Sequence, residues 1–247
     1  MKRRTFLTAL ALLPFAGEAA AAIANDKPRA RKKKLKELTN TLILSSPQKD
    51  FCDITASRKA LLGGLACGKT TAGAADLLLR CKPGERYLVV APTYHFLRDS
   101  TLRTFRMVAE QMGLWDDSKY LKSRECATLR NGAIVDFASA ECDLTRFMGG
   151  IWSGAWFDEP SLVRAQLSIV QKKEKCFAPP AFVAITSRAK WATMTFSPRG
   201  RDIDGRPHWT KQVITRQRWP VVHCSMMQNL FLPDECKQAI NKAMRAR

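Results

Sequence analysis

The run Gly63-Gly64-Leu65-Ala66-Cys67-Gly68-Lys69-Thr70 fits the pattern G-x-x-x-x-G-K-[ST] at every position. Small residues let backbone N–H groups wrap a phosphate chain. The lysine then reaches the β- and γ-phosphates, and the following hydroxyl ligates Mg²⁺. Gly63, Gly64, Leu65, Ala66, Cys67, Gly68, Lys69, Thr70 and Thr71 are therefore candidate contacts to ATP, with Lys69 also a candidate catalytic group. Downstream, the apolar run Gly154-Ala155-Trp156-Phe157 ends in Asp158-Glu159. At the end of a strand Asp158 can hold Mg²⁺, with Thr70, directly or through water. Glu159 points the other way along an extended chain and suits a base that orients an attacking water. The competing reading is a capping pair before Pro160 and a helix from Ser161.

Positioning these groups requires strands that end at one edge and helices that begin there. Ala60-Leu61-Leu62 reads as the end of a short strand and Thr71 to Arg80 as a helix, so bound phosphates would lie at a helix N-terminus. Tyr87-Leu88-Val89-Val90-Ala91, closed by Pro92, is a strand buried on both faces. Leu97 to Gly113 carries Leu102, Phe105, Met107, Val108 and Met112 at helical spacing. Asn131-Gly132 marks a tight hairpin within 128–138, and 191–197 and 220–224 are further strands. This alternation predicts an α/β fold with a mostly parallel sheet flanked by helices.

The chain has 247 residues, enough for one α/β core. Lys and Arg outnumber Asp and Glu by 41 to 22, for a net charge of +19, which points to a polyanionic partner bound through its phosphates. Some of that charge sits in 29–36, but Arg98, Arg103, Arg106, Lys122, Arg124, Arg130 and Arg146 carry it through the body. Eight cysteines occur without a C-x-x-C, and the three histidines share no metal-ligand spacing with them, so a zinc site is not expected. Several of the cysteines lie in apolar contexts and read as small core hydrophobes of a reducing compartment. Cys67 is set apart by its neighbours: Lys69 and a helix N-terminus lower a thiol's pKa. It is either a reactive thiol facing the phosphates or one turned into the core beneath the loop.

Residues 1–24 have a basic start, a modest apolar stretch and small residues, and Arg3-Arg4-Thr5-Phe6-Leu7 is similar to a twin-arginine export signal. The apolar stretch is too short to span a membrane, and ATP chemistry belongs in the cytoplasm. A cytoplasmic protein of the host cell is therefore expected, with export the minor alternative. The expected organisation is a basic segment over 1–44, a P-loop ATPase domain over 45–233, and a short basic tail over 234–247.

These motifs, in this order, resemble the ATPase domain of phage terminase large subunits, from about Pro47 to Pro233. Pro47-Gln48 with Phe51 resembles that family's adenine-reading motif, which implies Gln48 as a base contact. The 63–70 loop resembles its Walker A element, Val89 to Thr93 its second strand, and 148–159 its Walker B region, which implies Glu159 as the catalytic carboxylate. Thr195-Phe196-Ser197-Pro198-Arg199-Gly200 with His208-Trp209 resembles its coupling motif, which implies that Thr195 and Ser197 sense the γ-phosphate. Asn229 to Pro233 matches the segment that typically follows. The resemblance implies a RecA/ASCE-like P-loop NTPase that uses ATP and Mg²⁺ to move double-stranded DNA. It further implies a homo-oligomeric ring working with a portal and a small terminase subunit, away from any membrane. Three departures stand out. Leu65 replaces the arginine usual in the loop, so Arg146 or Arg199 becomes the candidate supplied by a neighbouring subunit. The stretch between Glu159 and Thr195 is long and irregular. The acids after Gly200 are too few for the nuclease domain of a complete large subunit, so no nuclease activity is expected.

Overall fold

The computed structural model describes residues 42–141, 147, 149–163, 178–201, 205 and 207–245. Eight strands form one sheet: β1 (Arg58–Gly63), β2 (Arg86–Ala91), β3 (Tyr120–Leu121), β4 (Cys126–Thr128), β5 (Ile134–Ser139), β6 (Gly154–Asp158), β7 (Ala192–Phe196) and β8 (Val221–Cys224). Their order across the sheet is β3-β4-β5-β2-β6-β7-β1-β8. The six strands from β5 to β8 pair in parallel, and β4 and β3 add an antiparallel margin. The expected class, a mostly parallel α/β sheet with flanking helices, is the one observed. β7 lies between β1 and β6, so the strand feeding the phosphate loop and the strand bearing Asp158 are not neighbours. Register sets Thr195 of β7 opposite Leu61 on one side and Asp158 on the other.

The described helices are α1 (Ser46–Asp53), α2 (Lys69–Arg80), α3 (Arg103–Gln111), α4 (Pro180–Arg188), α5 (Trp209–Gln217) and α6 (Asp234–Arg245), with shorter helical turns between. Strand alternation feeds two cores. Tyr87, Val89, Phe137 and Trp156 face α2 and α3, where Leu77, Phe105 and Val108 meet them. Leu88, Val90, Phe157 and Met194 face the opposite layer, against Phe182 of α4 and Trp209 and Val213 of α5. Helix α2 packs closely over Trp156 because residue 73 is glycine: a Cβ there would come within 2.3 Å of the indole.

The sequence placed no helix over 45–59, yet α1 forms there. Pro47 lies in its first turn, and the Gln48 side chain closes back on the N–H of Ser45 as a capping box. The helix expected from Leu97 begins earlier, at Tyr94, and is wound as a π-helix over Leu97–Leu102 before continuing as α3. The hairpin at Asn131-Gly132 forms as expected: Gly132 has φ 83° and β4 pairs antiparallel with β5. The segment expected as a tail, 234–247, is largely helical as α6. Among the described residues, no helix is long and apolar enough to cross a membrane.

Candidate active site

The ends of β1, β6 and β7 converge at the sheet edge where α2 begins. Gly68, the N-cap of α2, has φ 83°, and Ala66 has φ 54°. Left-handed residues alternating with right-handed ones turn successive N–H groups toward one side, which is the geometry of an anion cradle. The left-handed turn at Ala66 carries a steric cost for a residue with a Cβ. Its carbonyl is held by the Asn229 side chain, which donates from Nδ2 at 2.7 Å. Gly64, Leu65 and Ala66 form the exposed tip of the loop, and Leu65 is 76% exposed.

Beneath the loop, Lys69 donates from Nζ to the carbonyl of Gly64 at 2.7 Å and pairs with Glu159 Oε1 at 3.3 Å. Thr70 and Thr71 occupy the first turn of α2 and are half-buried. Thr70 Oγ1 donates to Asp158 Oδ1 at 3.3 Å, and Thr195 Oγ1 donates to the same oxygen at 2.8 Å. The other oxygen, Oδ2, accepts from Thr101 Oγ1 at 2.7 Å. Trp156 Nε1 donates to Thr195 Oγ1 at 2.8 Å and so fixes which way that hydroxyl points. Asp158 is fully buried. Desolvation pushes its carboxyl up to about 6, against the three hydroxyls that pull it down, with the nearby Glu159 charge adding a smaller upward push.

Glu159 departs from the expected alternation. It lies just past β6 in a left-handed conformation, φ 45° and ψ 45°, at the start of a 3-10 turn over Pro160–Leu162. This twist returns its carboxylate to the side of Asp158 and Lys69, where strand alternation alone would have turned it away. Ser197 then holds it twice, from its backbone N–H at 2.9 Å and from its hydroxyl at 3.1 Å. Glu159 also occupies the N-cap position of that turn, without a side-chain hydrogen bond to its backbone, and its Oε2 accepts from Ser161 Oγ at 3.5 Å.

Gln48 sits differently from a free base contact. It is 2% exposed, its Oε1 accepts from Ser45 N–H at 2.8 Å, and its Nε2 donates to the Gly68 carbonyl at 2.9 Å. It braces the end of the phosphate loop, and a Cβ on residue 68 would approach Nε2 to 2.3 Å. Cys67 takes the inward of its two expected orientations: it is buried at 1% exposure among Phe51, Leu61, Ala72 and Cys224. Arg199 is exposed on the loop after β7, and Arg146 lies outside the described residues. Thr101 is the residue that the sequence analysis missed. It carries no motif, and only the π-winding of Leu97–Leu102 coincides with its delivery to Asp158; such turns recur at functional sites.

Thr70 and Asp158 present a hydroxyl and a carboxylate side by side. That donor set suits Mg²⁺, which takes one or two protein oxygens and completes its shell with phosphates and water. Among the described residues, no three His, Cys, Asp or Glu side chains cluster as a metal cage.

Sheet order and the strand–loop–helix at the site are those of the α/β fold class of P-loop NTPases. The more particular likeness is to phage large terminases. The large terminase of a thermophilic bacteriophage superposes with a TM-score of 0.60 at 16% identity, over 80% of this chain and 50% of that one. The same protein in complex with ATP-gamma-S gives 0.57 at 16% identity, over 80% and 49%. The HK97 bacteriophage large terminase gives 0.53 at 16% identity, over 93% and 52%. The chain thus has the fold found in these terminases and spans about half their length. No protein-family model and no curated protein matches it.

Proposed function

We propose that this chain is the ATP-hydrolysing motor domain of a viral DNA-packaging terminase, coupling γ-phosphate cleavage to movement of double-stranded DNA. The observation that carries the reading is the convergence of Lys69, Thr70, Asp158, Glu159 and Ser197 from two strand ends and one helix on a single edge. In this mechanism the loop N–H groups and the start of α2 bind the phosphates, and Gln48 acts on them by bracing Gly68. Thr70 and Asp158 would hold Mg²⁺, whose charge offsets that of the β- and γ-phosphates. Lys69 shifts from Glu159 to the γ-phosphate, which frees the carboxylate to orient water. Ser197, tied to that carboxylate, reports the change along the loop to Arg199 and beyond. The thermophilic phage terminase's complex with ATP-gamma-S supports nucleotide binding by analogy of fold.

The net charge of +19 supports DNA as the partner. A homo-oligomeric ring with a portal and small subunit, in the host cytoplasm, follows from the same reading. A ring would also let Arg146 or Arg199 of one copy complete the site of the next. The test is ATP affinity and turnover, with and without duplex DNA, in Lys69→Ala and Glu159→Gln. Lys69→Ala is expected to lose binding, and Glu159→Gln to bind and not turn over. Unchanged turnover in Glu159→Gln removes that residue from the mechanism. A wild-type chain that binds DNA without hydrolysis points instead to an inert prophage remnant, and strand separation to a helicase-like enzyme.

A further inference from the structure

Under the phosphate loop lies a small core of its own, formed by Phe51, Leu61, Ala72, Cys67 and Cys224. The two cysteines are 157 positions apart in sequence, yet their sulfurs lie 2.6 Å from each other, one in the loop and one at the end of the edge strand β8. Residue 63, paired with Cys224 across the β1–β8 ladder, makes the approach feasible by being glycine. A Cβ there would fall 2.3 Å from one sulfur and 2.4 Å from the other. No other pair among the described cysteines is joined by a recorded contact.

We propose that Cys67 and Cys224 are a redox modification site, forming a reversible disulfide that tethers the phosphate loop to β8. The oxidant class is a peroxide. The Cys67 thiolate attacks one peroxide oxygen of hydrogen peroxide, the O–O bond breaks, and protonation of the departing hydroxide leaves Cys67 as a sulfenic acid plus one water. The Cys224 sulfur then attacks the Cys67 sulfur, its proton leaves with the hydroxyl as a second water, and the S–S bond closes. Two thiols are oxidised by two electrons, and one peroxide is reduced to two waters.

Bonding the sulfurs needs a shift of only about half an ångström from their present separation. The roles within the pair follow from their surroundings. The Cys67–Cys224 contact, in which either sulfur can donate, and the nearby Lys69 ammonium lower the Cys67 pKa to about 7 despite its burial. The same contact, with burial, pushes Cys224 up. Cys67 is thus the attacking thiol and Cys224 the resolving one. The other perturbed thiols move the opposite way: burial raises Cys52 and Cys81, and Cys126 rises to about 11.

The covalent chemistry stands independently of the ATPase reading and is tested first without nucleotide. The full chain is titrated with hydrogen peroxide, quenched by alkylation and mapped by mass spectrometry. The expected product is a Cys67–Cys224 linked peptide pair, two hydrogens lighter than its thiols, appearing before exposed Cys236 is oxidised and lost on adding a dithiol. In Cys224→Ala, dimedone is expected to trap the sulfenic acid at Cys67. The bond closes a long loop, so the oxidised protein should melt roughly 5 °C or more above the reduced one, a gain absent in Cys224→Ala. Complete oxidation of Cys236 with no Cys67–Cys224 pair overturns the proposal.

The consequence for nucleotide rests on the ATPase reading. A tethered loop cannot adjust to the phosphates, so ATP affinity is expected to fall roughly tenfold on oxidation, the equivalent of one charge-assisted hydrogen bond. Dithiol should restore it. Linked peptides with unchanged affinity overturn this regulatory part, whereas a reduced protein that binds no ATP overturns the ATPase reading and leaves the disulfide standing.

Discussion

Replacing Thr101 by valine removes one hydroxyl from a fully buried position and keeps the side chain's shape. The hydroxyl is the recorded partner of Asp158 Oδ2, at 2.7 Å, while Thr70 and Thr195 share Oδ1. Two effects follow. Hydrogen bonds to a charged group contribute about 1.5–3 kcal/mol, and that contribution is lost with the ionised carboxylate left in place. The pKa of Asp158, about 6 with all three hydroxyls, rises further because one of the groups opposing desolvation is gone. Both effects disfavour the state that binds Mg²⁺. Losing an outer partner of a metal ligand typically costs 10–100-fold in metal affinity. A Mg²⁺ titration of nucleotide binding near neutral pH should therefore show half-saturation raised by about tenfold or more in Thr101→Val. Turnover at saturating Mg²⁺ should be much less affected, and Thr101→Ser, which keeps the hydroxyl, should recover most of the loss. Wild-type Mg²⁺ dependence in Thr101→Val refutes the reasoning. So does a Thr101→Ser variant as impaired as Thr101→Val, since packing of the methyl group would then be the cause.

Other outcomes follow from the same network and its supports. Because the folded-state pKa of Asp158 is raised, its protonated form favours the fold; that contribution is complete below about pH 4 and lost as pH rises through about 6. Metal-free Asp158→Asn should accordingly gain up to about 3 kcal/mol over wild type above pH 6, and denaturant melts should show the gap closing toward pH 4. Lys59 is fully buried and donates to the carbonyls of Phe51 and Ile54 and to Asp76 Oδ1, tying α1 to β1 and α2. Lys59→Met should cost about 3–5 kcal/mol in denaturant melts by leaving Asp76 with Arg80 alone, and an unchanged midpoint would discount the tie. Duplex DNA binding should weaken steeply with salt, with a log–log slope of about 0.9 per phosphate contact. A flat response, or one abolished by deleting residues 1–36, would assign the charge elsewhere.

The parts of this site that were legible in the sequence are those where one residue type answers one local demand. Gly68 must adopt a positive φ, Lys69 must reach across the loop, and an apolar strand must end in Asp158; each leaves a mark at a fixed spacing. The strands were legible for a similar reason: β2 and β6 carry buried apolar runs, and β7, wholly buried, alternates threonine with apolar residues. The illegible parts depend on residues brought together from afar. Thr101 looks like any helical threonine until a π-turn delivers it to Asp158. Gln48 matched a motif, but its two backbone contacts belong to α1 and the loop jointly, and α1 itself was hidden in a polar segment. Glu159 was assigned its side by strand periodicity, and a single left-handed residue reversed it. Cys67 had two readings, and the choice fell to Cys224 and to a glycine across the ladder, neither adjacent to it in sequence. In each case the chemical group was visible and its partner was not. The same division accords with a shared fold at 16% identity, since a sheet needs only buried segments of the right length and pattern.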